Sequence, residues 1–199
     1  MGKNKAMLKS FYKVMTNDLN EINKILPDMY AKNFYTIDFE YLLGENLKKL
    51  IIDIDGTILK VDDVKVPESI IQKFKQLKEL GFEMCLVSNN ENKRVKPVAE
   101  ILNVKYLAKA NKPLKEAFDN ALKKLNTKDK TEVAMIGDQM MSDIKGSNEY
   151  GIYSILVKPV SKHNNIKTGT SRFLQNIMEK HLKKQNMFNK NEYYKKGRK

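Results

Sequence analysis

Short apolar runs alternate along this chain with stretches whose apolar residues recur at helical spacing. Leu50 to Ile54 reads as a first strand, and Pro67-Glu68 opens a helix that runs to Leu80 and stops at Gly81, with proline at the first turn and glycine at the end. Phe82 to Val87 is the second strand, Asn92 to Leu102 a helix, and Val104 to Leu107 a short third strand. A helix from Pro113 to Leu125 leads to a fourth strand, Thr131 to Ile136. Met140 to Tyr150 forms the next helix, closed by Gly151, and Ile152 to Val157 the fifth strand. Repeated strand–helix units of this length predict an α/β fold, a doubly wound parallel five-stranded sheet with helices on both faces. Its crossovers should be right-handed.

The two ends read differently. Leu8, Phe11, Tyr12, Met15, Leu19, Ile22 and Leu26 make one amphipathic helix that Pro27-Asp28 closes; it either packs on the domain, the favoured reading, or lies in a membrane interface with Lys9 and Lys13 on its wet side. Leu174, Ile177, Met178, His181 and Leu182 form a second stripe flanked by Lys180, Lys183 and Lys184, and beyond Met187 the Asn/Lys/Tyr-rich end reads as disordered. The expected division is a basic amphipathic extension over 1–26, one catalytic domain over 27–171, and a basic helix and tail over 172–199. The net charge of +13 follows this division. Nine Lys/Arg face two Glu between Arg172 and Lys199, five face two acids between Met1 and Leu26, and 23 face 20 in between. Basic ends seek polyanions, whether the phosphates of nucleic acid or an anionic bilayer surface. No stretch approaches the ~18 apolar residues of a membrane-spanning helix, and no secretory signal is evident. The single cysteine, Cys85, lies in the second strand, so a reducing cytoplasm is expected, with a peripheral place at the inner face of the membrane if the ends touch lipid.

Polar clusters stand at three strand ends: Asp53-Ile54-Asp55-Gly56-Thr57, Ser88-Asn89-Asn90, and Gly137-Asp138-Gln139 with Ser142-Asp143. In a parallel sheet all three reach the carboxyl edge, where open α/β folds hold ligands. Lys112, before Pro113, opens a helix on the same rim, with Lys109 nearby as the alternative ammonium. Alternation along a strand would point Asp53 and Asp55 to one side, close enough for one to attack while the other moves a proton. Carboxylates able to hold a hard cation, a hydroxyl and an ammonium group together make a kit for metal-assisted phosphoryl transfer.

The ordered set DIDGT, SNN, NKP and GDQMMSD resembles the four motifs of the haloacid dehalogenase superfamily and of its aspartyl phosphatases. SNNENKRV, AKANKPLKEAF, GDQMMSDIKGSN and ILVKPVS are similar more narrowly to the YqeG-type class IIIA phosphatases, relatives of the mitochondrial phosphatidylglycerophosphate phosphatase. The resemblance implies a HAD-like Rossmannoid domain with Asp53 as nucleophile and Asp55 as the acid and then the base. Mg²⁺ would be held by Asp53, Asp138 and the carbonyl of Asp55. Thr57, Ser88, Asn89 and Lys112 would serve the phosphate, with Asp143 orienting Lys112 or a metal-bound water. Gly56 stands where many YqeG-type sequences have Asn, and both residues suit a turn.

Too few residues separate Thr57 from Pro67, or Asn90 from Lys112, to hold a cap domain, so the site should be open and suited to a phosphate presented on something large. With the basic ends, this makes a phosphorylated lipid, phosphatidylglycerophosphate, the leading substrate. Phosphomonoesters of nucleic acid or protein are the alternative, nucleic acid being reached through the basic tail. A non-enzymatic RNA-associated module on the same fold is a further alternative.

Overall fold

The computed structural model describes residues 3–63, 65–160, 166–188 and 194–195. Its sheet is built of β1 (Met29–Ala31), β2 (Lys49–Ile52), β3 (Glu83–Val87), β4 (Lys105–Leu107), β5 (Val133–Gly137), β6 (Tyr153–Val157) and β7 (Tyr194–Lys195), in the order β4-β3-β2-β5-β6-β1-β7. The five expected strands are β2 to β6, all parallel. Two more join at one edge: β1 runs parallel to β6, and β7 pairs with β1 antiparallel. The expected disordered tail therefore contains a strand at Tyr194–Lys195; its other residues beyond Phe188 lie outside the described set.

Between the strands run α3 (Phe39–Gly44), α4 (Glu68–Glu79), α5 (Asn92–Leu102), α6 (Lys115–Lys124) and α7 (Lys145–Tyr150). Side-chain alternation splits the core. Leu50, Ile52, Met84, Leu86, Ala134 and Ile136 face one way, against Ile70, Phe74 and Leu77 of α4 and Val95 and Val98 of α5. Ile51, Cys85, Val133 and Met135 face the other way, against Ala117, Phe118 and Ala121 of α6. Central strands buried on both faces explain the continuous apolar runs.

The N-terminal segment is two helices, α1 (Lys3–Met15) and α2 (Leu19–Ile25), where one was expected. Asn17 adopts φ +59°, and Asp18 caps α2 by accepting from the Glu21 amide, so a local side-chain bond competes with helix continuation. Both pack on the domain: Val14, Ile22 and Ile25 are buried with Met140, Ile144 and Leu156, and with Met178 and Leu182 of α8 (Ile166–Lys184). The segment expected as one helix from Met140 to Tyr150 begins instead with a π turn, Met140–Ile144, in which the Ile144 amide donates to the Gln139 carbonyl. No helix among the described residues is long and apolar enough to cross a membrane.

Candidate active site

The carboxyl ends of β2, β3 and β5 meet at the centre of the sheet, because β2 is hydrogen-bonded to β3 on one side and β5 on the other. Asp53 and Asp138 each follow the last residue of their strand, and their side chains turn inward. With Asp143 they offer carboxylate oxygens within 4.8 Å of one another, and all three residues are buried. The π turn delivers the third acid: its extra residue lets the Asp143 carboxylate fold back to accept from the Gln139 amide at 3.1 Å. Gly137 makes room, since a Cβ there would lie 2.4 Å from the Asp143 side chain.

Two buried cations answer the three acids. Lys112 Nζ lies 2.8 Å from Asp53 Oδ1 and 2.9 Å from Asp143 Oδ1. The side-chain amide of Asn89 brackets the Lys112 backbone, donating to its carbonyl at 3.1 Å and accepting from its N–H at 2.7 Å. Lys109, the alternative, pairs with Glu91 on the surface. The second cation was not anticipated: Arg172, in α8, donates from Nη2 to Asp138 Oδ2. Its Nε is buried with no acceptor among the described residues. Gln175, one turn on, donates to the Asp138 carbonyl at 3.1 Å and accepts from the Met140 amide at 3.0 Å. A helix expected to be a basic terminal extension thus closes one wall of the site.

Thr57 Oγ1 is fully buried between two of the acids, 3.2 Å from Asp53 Oδ2 and 3.4 Å from Asp138 Oδ1. Ser88 is buried at the end of β3, where its hydroxyl accepts from the Asn90 amide. Asp55 is not drawn into the carboxylate cluster. The strand ends at Ile52, so the expected alternation does not extend to it. Its Oδ1 accepts from Arg94 Nε at 3.1 Å and Nη2 at 2.7 Å, and its Oδ2 from Asn90 at 2.6 Å. Arg94 also donates to the carbonyls of Lys60 and Asp63, tying the loop after the Asp pair to α5. Gly56 is required by more than turn geometry: at φ +98° its Cβ would sit 2.4 Å from Asp138 Oδ2 and 2.5 Å from Arg172 Nη2.

Among the described residues, three buried carboxylates against two cations leave an excess negative charge in a buried cluster. Burial, reinforced by Asp143 and Asp138 against the pull of Lys112, pushes Asp53 up to about 7. Burial likewise pushes Asp138 up to about 6, against the pull of Arg172. Burial alone would lower Lys112, but Asp143 and Asp53 hold it above the ordinary ammonium range. An all-oxygen donor set short of positive charge fits a hard divalent cation, held by Asp53, Asp138 and Asp143 in some combination. Such an ion would polarise a phosphoryl oxygen and screen the charge that develops there.

Comparison with known proteins follows this geometry. The profile of the haloacid dehalogenase-like hydrolases matches residues 38–151. A probable phosphatase, YqeG, of Bacillus subtilis (strain 168) is 35% identical over 159 residues, which cover 80% of this chain and 92% of that protein. Among solved structures, an uncharacterized protein from Listeria monocytogenes serotype 4b aligns over 60% of this chain and 85% of its own, with 23% identity and a TM-score of 0.48. A putative HAD superfamily (subfamily III A) hydrolase from Legionella pneumophila aligns over 75% and 94%, with 17% identity and a TM-score of 0.43.

Proposed function

The chain belongs to the haloacid dehalogenase-like hydrolase family and is a phosphatase of it, and we propose that it is a Mg²⁺-dependent phosphomonoesterase working through an aspartyl-phosphate on Asp53. The observation that carries this reading is the buried cluster in which Asp53 lies 2.8 Å from Lys112 and within reach of Asp138 and Asp143. Ionised Asp53 attacks phosphorus in line. Asp55, released from Arg94 and Asn90 and carrying a proton taken up from solvent, gives that proton to the leaving alcohol's oxygen as the P–O bond breaks. Asp55, now a carboxylate, takes a proton from water, which attacks the aspartyl-phosphate; phosphate departs and Asp53 is regenerated. Lys112 and the Ser88 hydroxyl neutralise charge on the phosphoryl oxygens. Thr57 holds Asp53, Asn89 holds Lys112, and Asp143 fixes the ammonium from its other side.

The substrate we favour is phosphatidylglycerophosphate, giving phosphatidylglycerol, at the surface of an anionic membrane. Support comes from the likeness of the motifs to the YqeG-type class IIIA phosphatases, and from the excess of positive charge. Leu8 and Tyr12, one turn apart on α1, and Leu19 on α2 are left largely exposed near lysines, as an interfacial contact would require. The test is Mg²⁺-dependent phosphate release from phosphatidylglycerophosphate in vesicles, with Asp53→Asn and an aryl phosphate as controls. Release from the lipid that vanishes in the variant supports the full reading. Aryl phosphate turnover without lipid turnover keeps the chemistry and removes the lipid, and absence of turnover on both substrates would refute the phosphatase.

A further inference from the structure

A cleft of about 440 Å³ opens beside the loop that follows Asp53, and it shares Thr57 with the catalytic cluster. Its floor is apolar, with Ile58, Pro67 and Ile70, and three lysines line it: Lys32, Lys60 and Lys158. The topology puts two of them side by side. β1 and β6 are parallel with Ala31 in register with Val157, so Lys32 and Lys158 are the next residues of two adjacent strands, and the Lys158 amide donates to the Ala31 carbonyl at 3.3 Å. Both leave the sheet at the same carboxyl edge as Asp53 and Asp138. Lys60 enters from the catalytic loop itself.

None of the three is ion-paired to a described acid; the ion pairs of the described residues engage other cations. Of the chain's acids only Glu192 lies outside the described residues. Among the described residues Asp63 is the one acid lining the cleft, and it accepts from the Lys60 backbone amide at 2.8 Å. Two lysines held on neighbouring strands and a third facing the same cleft repel one another, and an anion between them removes that repulsion.

We propose that Lys32, Lys60 and Lys158 form a second anion subsite, which binds a phosphate or phosphodiester carried by the same molecule as the phosphomonoester under attack. The inference rests on the phosphatase reading and narrows its substrate class to phosphomonoesters bearing a second anionic group a short spacer away. The apolar floor accommodates the spacer. A lipid-borne phosphodiester and a soluble bisphosphate both present this chemistry.

The experiment compares short α,ω-alkanediol bisphosphates with the matching alkyl monophosphates, in the wild type and in Lys32→Ala/Lys158→Ala and Lys60→Ala variants, at fixed Mg²⁺ and ionic strength. The wild type should prefer the bisphosphate. The double variant should lose on the order of tenfold or more in kcat/KM for it while the monophosphate changes less than about twofold, because each charge-assisted contact is worth roughly a factor of ten. Equal losses on both substrates, or no preference in the wild type, would overturn the subsite. Calorimetric binding of the bisphosphate to full-length protein carrying Asp53→Asn, with and without the lysine substitutions, reads the subsite without turnover. If no substrate is hydrolysed yet the lysines still govern bisphosphate binding, the phosphatase reading fails and the subsite stands. A third arm uses phosphatidylglycerophosphate dispersed in neutral detergent and in anionic vesicles. Lysine dependence in detergent as well as with the soluble bisphosphate supports recognition of the second phosphate. Dependence confined to anionic vesicles would show a membrane contact and overturn the proposal.

Discussion

Replacing Lys112 by Met is the sharpest perturbation of the acidic cluster, because it removes one charge and little volume. Lys112 is 2% exposed and touches both Asp53 and Asp143. Without it the three buried carboxylates face Arg172 alone among the described residues. Removing one member of a buried pair costs about 3–5 kcal/mol, against a total of roughly 5–15 kcal/mol for a domain, so the metal-free variant should lose a large share of its stability at pH 8. The loss has a pH signature. Burial already holds Asp53 at about 7 and Asp138 at about 6, and the attraction of Lys112 is among the forces resisting the rise. In the variant both move higher. A carboxyl whose folded value lies above its unfolded value binds its proton more tightly when folded, so its contribution is present at low pH and fades as pH rises through the folded value. At pH 5 Asp53 and Asp138 of the variant are therefore protonated, and the penalty should shrink to about 1.5 kcal/mol or less, as expected of a shape-conserving swap. Urea unfolding of wild type and Lys112→Met at the two pH values, in chelator, measures both numbers. A penalty equal at pH 5 and 8, or below about 1 kcal/mol at pH 8, would show that the acids are not charge-coupled to this lysine.

The same raised values predict that the metal-free wild type loses stability as pH climbs from about 4 through 7; Asp53→Asn should flatten that slope, and Mg²⁺ should restore stability at neutral pH, both read by thermal unfolding. Arg172→Gln frees Asp138 Oδ2 from its guanidinium and leaves the cluster more negative, so calorimetry should show Mg²⁺ binding about tenfold tighter; weaker binding would make Arg172 a support that positions Asp138. Gly56→Ala places a methyl against Asp138 and Arg172 at positive φ, and should cost about 2 kcal/mol or more and weaken Mg²⁺ binding; Gly44→Ala, where nothing lies within 4 Å, is the control. Burial pushes the Cys85 thiol up to about 12, so a thiol reagent should label it only as fast as the protein unfolds.

What could be read from the sequence was whatever local pattern determines. The central strands announced themselves as apolar runs because they are covered on both faces, and polar residues just beyond those runs had to gather at one edge of a parallel sheet. β1 escaped notice because three residues carry no usable periodicity, and its place is set by pairing with β6, far away in sequence. The π turn escaped because a helix and a helix with one extra residue have nearly the same apolar pattern, although that residue is what brings Asp143 back to Lys112. Arg94 lay inside a motif that marked a resemblance without showing which carboxylate it would hold.

Arg172 has a different lesson, since it was counted and then misplaced. It belonged to a terminal run whose charge pointed outward, to a polyanion, yet α8 packs through Met178 and Leu182 and carries this guanidinium to Asp138. Net charge is blind to burial: a cation facing an internal acid contributes nothing to the field outside, and Lys112 is another of the same kind. The informative cations for an external anion are those that the fold holds together without an acid to answer them. By that criterion the cations that the proposed subsite draws on are not in the basic ends: they are Lys32, Lys60 and Lys158, inside the stretch whose bulk charge is close to balanced.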